Sequence, residues 1–330
     1  MVHSAPSEIH HNRARWILRL PLGRRHVRAA VGAAWVIAAI LAAQPAGFTS
    51  DWWRFSAGQS AMGEPAAIRH SILWAVGIAG SHAVVFNILL VGLQAMIGLA
   101  LIFGRAERLA ILASVPLALG IWWIGEGFGA LPTGFATFVG GAPGAVVLYP
   151  VLAFLAWPGT DAVREKAGVS PRLAKGLWLL LWCGQAALLL PWRFPSGQVL
   201  GATVEEVNAG PPWITKINDG VSEYLSVHGS FVMLALTILC VVIGLTIAFD
   251  RGRRTGLVVG CAVMALSWVV FQGAGGLLTG DATDLNTAPL VVLLAFAIWP
   301  NRQESDIQAS DHRRSVRRSL SRFGPHLVRI

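Results

Sequence analysis

The chain has 330 residues, a formal net charge of +9, 55% hydrophobic residues and only 13% charged residues. Soluble globular domains carry about 25% charged residues, so the composition excludes an ordinary soluble fold. Half of the 26 Lys and Arg residues lie in the two terminal stretches. Because no aromatic-interleaved basic module accompanies them, these stretches indicate contact with a lipid bilayer and not with nucleic acid.

Apolar runs long enough to cross a bilayer predict an all-α integral membrane protein with about eight transmembrane helices. Basic residues are concentrated in alternate connecting segments, which places both termini in the cytoplasm of a bacterium and the chain in its plasma membrane. The first span resembles a signal peptide, but an uncleaved helix is expected because the fifth span occupies the equivalent place. The predicted spans are 29–46, 83–103, 109–125, 142–157, 173–191, 229–249, 255–272 and 287–300.

The two halves of the chain are similar to each other at an offset of 146 residues. From His82 onward, about 19 of roughly 64 aligned positions are identical, which is typical of a duplicated unit. The densest match joins segment 127–137 to segment 273–283. An even number of spans in each copy predicts two tandem four-helix repeats in parallel orientation, related by an axis along the membrane normal.

The predicted organisation has five parts. A basic cytoplasmic N-terminus (1–28) precedes the first repeat (29–158), and a cytoplasmic linker (159–172) leads to the second repeat (173–300). The basic tail (301–330) lacks apolar periodicity, so disorder is expected there. Within the repeats, segments 65–81 and 211–227 are predicted to form amphipathic helices on the outer membrane face.

His82 and His228 occupy the same position in the two copies, at the outer start of a predicted span. Two symmetry-related imidazoles facing a central axis could ligate haem or hydrogen-bond a quinone. The alternative is structural, with each ring at the membrane interface bonding to the start of its own helix.

Glu126 ends the third predicted span on the outer side, and Gln272 is its uncharged counterpart. An ionisable group at this place is a functional candidate because its burial is costly, although a carboxylate in the hydrated headgroup region is the alternative. Arg54 and Arg193, also equivalent, are candidates for anion contact or for snorkelling beside Trp and Phe.

No metal site is predicted, and the cysteines read as small buried hydrophobic residues. Oxygen ligands for calcium occur at short spacing in the second copy only, where the first copy has two Phe and a Gly. These second-copy residues are Asp281, Asp284 and Asn286.

The segment Gly92-Leu-Gln94-Ala-Met-Ile-Gly98, continuing to Gly104-Arg105, and its copy around 243–251 resemble the DoxX/MauE group of four-helix bacterial membrane proteins. The resemblance implies a role in quinone-linked sulfur oxidation or in redox maturation of partner proteins. The acidic residue of that group in this helix is Gln94 here and Cys240 in the copy.

We therefore expect a redox-associated membrane subunit that uses quinone or haem at its outer face. In this interpretation His82 and His228, with Arg54 and Arg193, contact the cofactor, and Glu126 or Gln272 serves in catalysis. The alternatives are a small-solute transporter, with the arginines contacting an anion, and a non-catalytic assembly partner. The expected partners are the bilayer and a membrane or extracytoplasmic protein.

Overall fold

A computed structural model describes residues 22–134, 136–137, 140–159, 169–190, 201, 204, 211–249, 252–279 and 282–300. Arg193, Asp281 and the tail 301–330 lie outside these residues. Regular structure in the described part is helical, and Leu22–Ile298 form one compact unit. The helices are α1 (Arg24–Ala42), α2 (Ser50–Phe55), α3 (Ala66–Ser81), α4 (Ala83–Phe103), α5 (Glu107–Ile124), α6 (Ala145–Leu155), α7 (Pro171–Leu188), α8 (Pro212–Thr246), α9 (Arg253–Val270) and α10 (Thr287–Ala297).

Short-range signals set several of these helix ends. The Thr49 hydroxyl accepts a hydrogen bond from the backbone N–H of Trp52 and so caps α2. Gly104 ends α4 in the left-handed conformation that glycine adopts at low cost. Pro171 and Pro212 occupy the first turns of α7 and α8, where the missing N–H of proline is harmless.

Five helices of the described part are long and apolar enough to cross a membrane: α1, α4, α5, α8 and α9. The apolar helices α6 and α10 have only 11 residues each, about 16 Å at 1.5 Å per residue. The chain is thus a multi-pass membrane protein by length and composition of its helices. Each of the eight predicted spans overlaps one of these five helices, one of the two shorter ones or α7, and five of the eight meet the length and hydropathy of a membrane span.

One boundary differs from the sequence prediction. The predicted outer helix 211–227 and the predicted span 229–249 form one continuous 35-residue helix, α8. In the first half the equivalent helices α3 and α4 are separated at His82, whose backbone leaves the helical region. There α3 packs on α2 in a core that contains Trp53, Ile72 and Val76.

Helix bounds recur along the chain. Helix α5 and helix α9 both have 18 residues, and their bounds differ by 146 at each end. The same neighbours pack in each half: α1 with α4, α4 with α5 and α5 with α6, and then α7 with α8, α8 with α9 and α9 with α10. The bounds of α6 and α10 differ by 142 residues and not by 146. The connection from α9 to α10 is therefore four residues shorter than the connection from α5 to α6.

Small residues let the helices approach closely. A Cβ atom on Gly32 of α1 would lie 2.6 Å from the carbonyl oxygen of Gly98 on α4, and the reverse distance is the same. Such contacts are typical of helix pairs in membranes, where association depends on close packing. At the end of the bundle that carries the basic turn between α4 and α5, Arg28 bonds Glu107 at 2.7 Å and the carbonyl of Ala156 at 3.0 Å.

Candidate functional site

A polar vestibule of about 790 Å³ lies between the two halves, at the ends of α5 and α9. Two Gly-rich turns, Gly127–Thr133 and Gly273–Gly276, contribute to its walls. Glu126 and Gln272, the predicted catalytic candidates, both line it. The structure therefore brings these two equivalent residues to one cavity.

Glu126 is held by the start of α6. Its Oε1 accepts hydrogen bonds from the backbone N–H groups of Ala145 at 3.0 Å and Val146 at 3.1 Å. A helix N-terminus favours a carboxylate in this way because its first N–H groups lack partners within the helix. The second oxygen, Oε2, is buried and has no hydrogen-bond partner among the described residues. Oε1 of Glu126 is thus held by the start of α6, and Oε2 is left to bind a proton or a ligand.

Asp284 is the second carboxyl group of the vestibule. Burial raises the pKa of Glu126 to about 8, and the negative charge of Asp284 contributes to this rise, while the two backbone N–H bonds act against it. Burial also raises the pKa of Asp284, against the effect of the N–H of Asn286, which donates to its Oδ1 at 2.6 Å. Neighbouring carboxyl groups that ionise with difficulty are suited to holding and passing a proton near neutral pH.

Each Gly-rich turn contains four consecutive residues with positive φ. Left-handed backbone is uncommon for residues with a side chain, and it occurs here at equivalent places in both halves. Gly129 is also required for space, because a Cβ atom there would collide with the carbonyl of Pro143. The eight residues are Gly127, Phe128, Gly129, Ala130, Gly273, Ala274, Gly275 and Gly276.

Two equivalent tryptophans brace these turns. The indole N–H of Trp122 donates to the carbonyl of Pro143 at 2.6 Å, and that of Trp268 donates to the carbonyl of Leu285 at 2.9 Å. Each bond ties the end of a long helix to the segment that leads into the next helix. The vestibule walls are therefore fixed by the same contact on both sides.

A second cavity, of about 350 Å³ and mostly apolar, lies in the first half. Trp35, Trp53 and Phe86 form part of its aromatic wall, and Gln94 and Tyr149 are among its few polar groups. The Oε1 of Gln94 is buried without a hydrogen-bond partner among the described residues, and the hydroxyl proton of the buried Tyr149 has no acceptor among them. Asp284 lines this cavity as well as the vestibule, so it connects the apolar space with the polar one.

The two histidines lie elsewhere. Both are exposed, and the Nδ1 of each is 3.3 Å from the carbonyl oxygen four residues earlier, Ile78 for His82 and Tyr224 for His228. The ring of His228 also stacks on Tyr224. Neither ring lines the vestibule or the apolar cavity. Arg54 is exposed on α2, and its equivalent Arg193 is outside the described residues.

Four polar residues of this region are not among the site candidates predicted from the sequence. Asp284 is named there only as a possible calcium ligand beside Asp281 and Asn286, although an acid in the loop before an apolar helix is a signal. Tyr149 and Gln94 are single polar groups in apolar helices, which is a weaker signal. Glu64 is buried next to the first Gly-rich turn. A Cβ atom on Gly127 would lie 3.4 Å from the Oε1 of Glu64. Burial raises the pKa of Glu64.

Groups of three or more residues suited to holding a metal ion do not occur among the described residues. Comparison of the chain with protein-family models, with curated proteins and with solved structures finds no match.

Proposed function

We propose that the chain is a redox-associated membrane subunit that binds a quinone in the apolar cavity and exchanges protons with the outer vestibule. The observation that carries the proposal is the position of Asp284, which lines both spaces beside Glu126. A bound quinone takes up two electrons and two protons when it is reduced, and the electrons would come from a redox partner protein. The residues of this chain provide the apolar slot, hydrogen bonds and a proton route.

The volume and the mostly apolar lining of the cavity suit the head group of a quinone. Aromatic side chains of Trp35, Trp53 and Phe86 suit the faces of a planar ring. A quinone has two carbonyl oxygens, and an acceptor of this kind needs a donor when it is buried. The Tyr149 hydroxyl does not donate to any described residue, which makes it the best-placed donor.

Haem fits this cavity less well than quinone does. Haem iron is held in proteins by side chains such as His, Cys, Met or Tyr, and the described lining residues include only Tyr149 from that set. The expected histidine ligands, His82 and His228, are exposed and bonded to their own helices. We therefore propose the quinone form of the redox hypothesis.

Binding of a short-chain benzoquinone to the purified protein in phosphatidylcholine nanodiscs tests the proposal. Quenching of tryptophan fluorescence should be saturable, because Trp35 and Trp53 line the cavity. Tyr149→Phe should weaken binding by about tenfold, the effect of one lost hydrogen bond of about 1.4 kcal/mol. The matched control is Tyr224→Phe, at the other tyrosine of the chain, which is exposed on α8.

Equal binding by both tyrosine variants would contradict the assigned site, and absence of saturable quenching would contradict quinone binding. A Soret band in the absorption spectrum would favour haem instead. Uptake of a small solute by proteoliposomes that bind no quinone would favour the transporter hypothesis, in which the vestibule and the cavity form parts of one path.

We also propose that the fold is a tandem duplication of one four-helix unit, with both copies parallel in the membrane. Recurring helix bounds and the packing of α6 on α10 support it. Hydrogen bonds also join the two halves directly: the Nε2 of Gln44 donates to the carbonyl of Ala282, and the Nε2 of Gln185 donates to that of Ala142.

The orientation and the relationship to the DoxX/MauE group are part of the same proposal. The basic connecting segments support cytoplasmic termini in a bacterial plasma membrane. The resemblance around Gln94 supports a four-helix unit of the DoxX/MauE type and agrees with a quinone-linked role.

A further inference from the structure

An apolar groove of about 500 Å³ lies on the outer surface of the bundle between α4 and α5. It meets the apolar cavity directly, because Leu93, Pro116 and Leu117 line both spaces. Side chains that face away from the core form its rim: Met96 is 62% exposed and Leu109 is 67% exposed. In a membrane this groove faces the lipid.

Small side chains line the groove and leave its space unfilled. Four alanines line it, namely Ala100, Ala106, Ala110 and Ala113. Pro116 stands within α5 where the groove meets the cavity, and its lack of an N–H removes the bond to the carbonyl four residues earlier. Pro116 lines both spaces, so the groove and the cavity adjoin at this point.

The groove has a definite direction. From Leu93 to Ala100 it follows α4 for seven residues, about 10 Å at 1.5 Å per residue, away from Asp284 and towards the basic turn at Gly104. The polar groups Gln94, Tyr149 and Asp284 lie in the cavity and not in the groove. A ligand that occupies both spaces needs a polar head and an apolar tail longer than the cavity.

We propose that the groove is a lateral portal, through which a long-chain isoprenoid quinone enters from the bilayer and in which its tail remains. This inference rests on the proposed function, since the head group is the quinone assigned to the cavity. Transfer of the tail from lipid into the groove gains little hydrophobic free energy, because both surroundings are apolar. The groove therefore provides the space that a long tail needs, and it adds little to the affinity of the protein for the quinone.

Filling the groove tests the portal. Ala113→Phe places a ring in the groove without changing a residue of the cavity. Binding of a long-chain isoprenoid quinone in phosphatidylcholine nanodiscs should weaken at least about tenfold, while the tailless benzoquinone should bind within about twofold of the unaltered protein. Met96→Trp fills the groove from the opposite helix and should act alike, which keeps the test valid when one variant folds poorly.

The matched control is Ala262→Phe, at an exposed alanine of α9 in the second half. It should leave both quinones unaffected. Unchanged binding of the long-chain quinone by the groove variants would overturn the portal and indicate that ordinary acyl chains occupy the groove, while the proposed function would stand. Equal loss of both quinones would also overturn it. Failure of the unaltered protein to bind the tailless quinone would instead overturn the proposed function, and the portal with it.

Discussion

Replacing Glu126 by Gln tests the electrostatics of the vestibule. Gln keeps an oxygen that can accept from the N–H groups of Ala145 and Val146, but it removes the ionisable group. Burial and the charge of Asp284 raise the pKa of Glu126 from 4.5 to about 8. Between these two values the folded protein binds more protons than the unfolded chain. The free energy of unfolding therefore falls as pH rises through this window.

The interval from 4.5 to about 8 corresponds to about 5 kcal/mol, at about 1.36 kcal/mol per pH unit. Because Asp284 shares in the titration, we expect Glu126→Gln to gain roughly 2–4 kcal/mol over the unaltered protein between pH 5 and pH 9. The two proteins should have similar stability at pH 5. The gain at pH 9 corresponds to an increase in melting temperature of roughly 5–15 °C.

Far-UV circular dichroism melts of the detergent-solubilised protein at pH 5, 7 and 9 measure this difference. The matched control is Glu223→Gln, at an exposed carboxylate on α8, whose melting temperature should follow that of the unaltered protein at every pH. If the curve of Glu126→Gln runs parallel to that of the unaltered protein, the carboxyl group is not held neutral by burial, and the proton-exchange role loses its basis.

Three further predictions follow from particular contacts. Arg28→Ala should lower the free energy of unfolding by about 3–5 kcal/mol, since it leaves a partly buried carboxylate without its ion-pair partner; chemical denaturation measures it, and a loss below about 1 kcal/mol would contradict it. Gly129→Ala should destabilise more than Gly134→Ala, because both have positive φ but only Gly129 faces a carbonyl; equal melting temperatures would contradict this. A cysteine at Met62, which is 75% exposed, should react with an impermeant thiol reagent in intact cells, and one at Arg105 should not; the opposite result would reverse the orientation.

Secondary structure followed closely from local sequence. The apolar helices of the described part overlap the predicted spans, and α5 and α9 keep the offset of 146 found in the sequence. The short helix α2 was not predicted. Local signals did not indicate that 212–246 forms one helix while His82 separates α3 from α4. The packing of Ile72 and Val76 of α3 with Trp53 of α2 is a tertiary contact that local signals do not encode.

The sequence predicted only some of the residues that form the site. Glu126 and Gln272 could be selected because they are equivalent residues at a helix end, and their approach to one vestibule depends on how the halves pack. The same logic selected His82 and His228, whose rings turn outward to bond their own helices. Equivalence in sequence fixes position along a helix, but not the direction in which a side chain points.

The sequence by itself determined that the chain belongs in a membrane, because the free energy of transfer of long apolar helices depends on composition and length alone. It also determined the similarity of the two halves at an offset of 146 residues, which is a property of residue order. Only the tertiary structure decided that Asp284 lies beside Glu126 and that the apolar cavity opens between α4 and α5. Asp284 and Glu126 are more than a hundred positions apart in the chain, and the opening between α4 and α5 depends on how two helices pack. The energies involved come from burial and charge proximity, which exist only when the helices are packed.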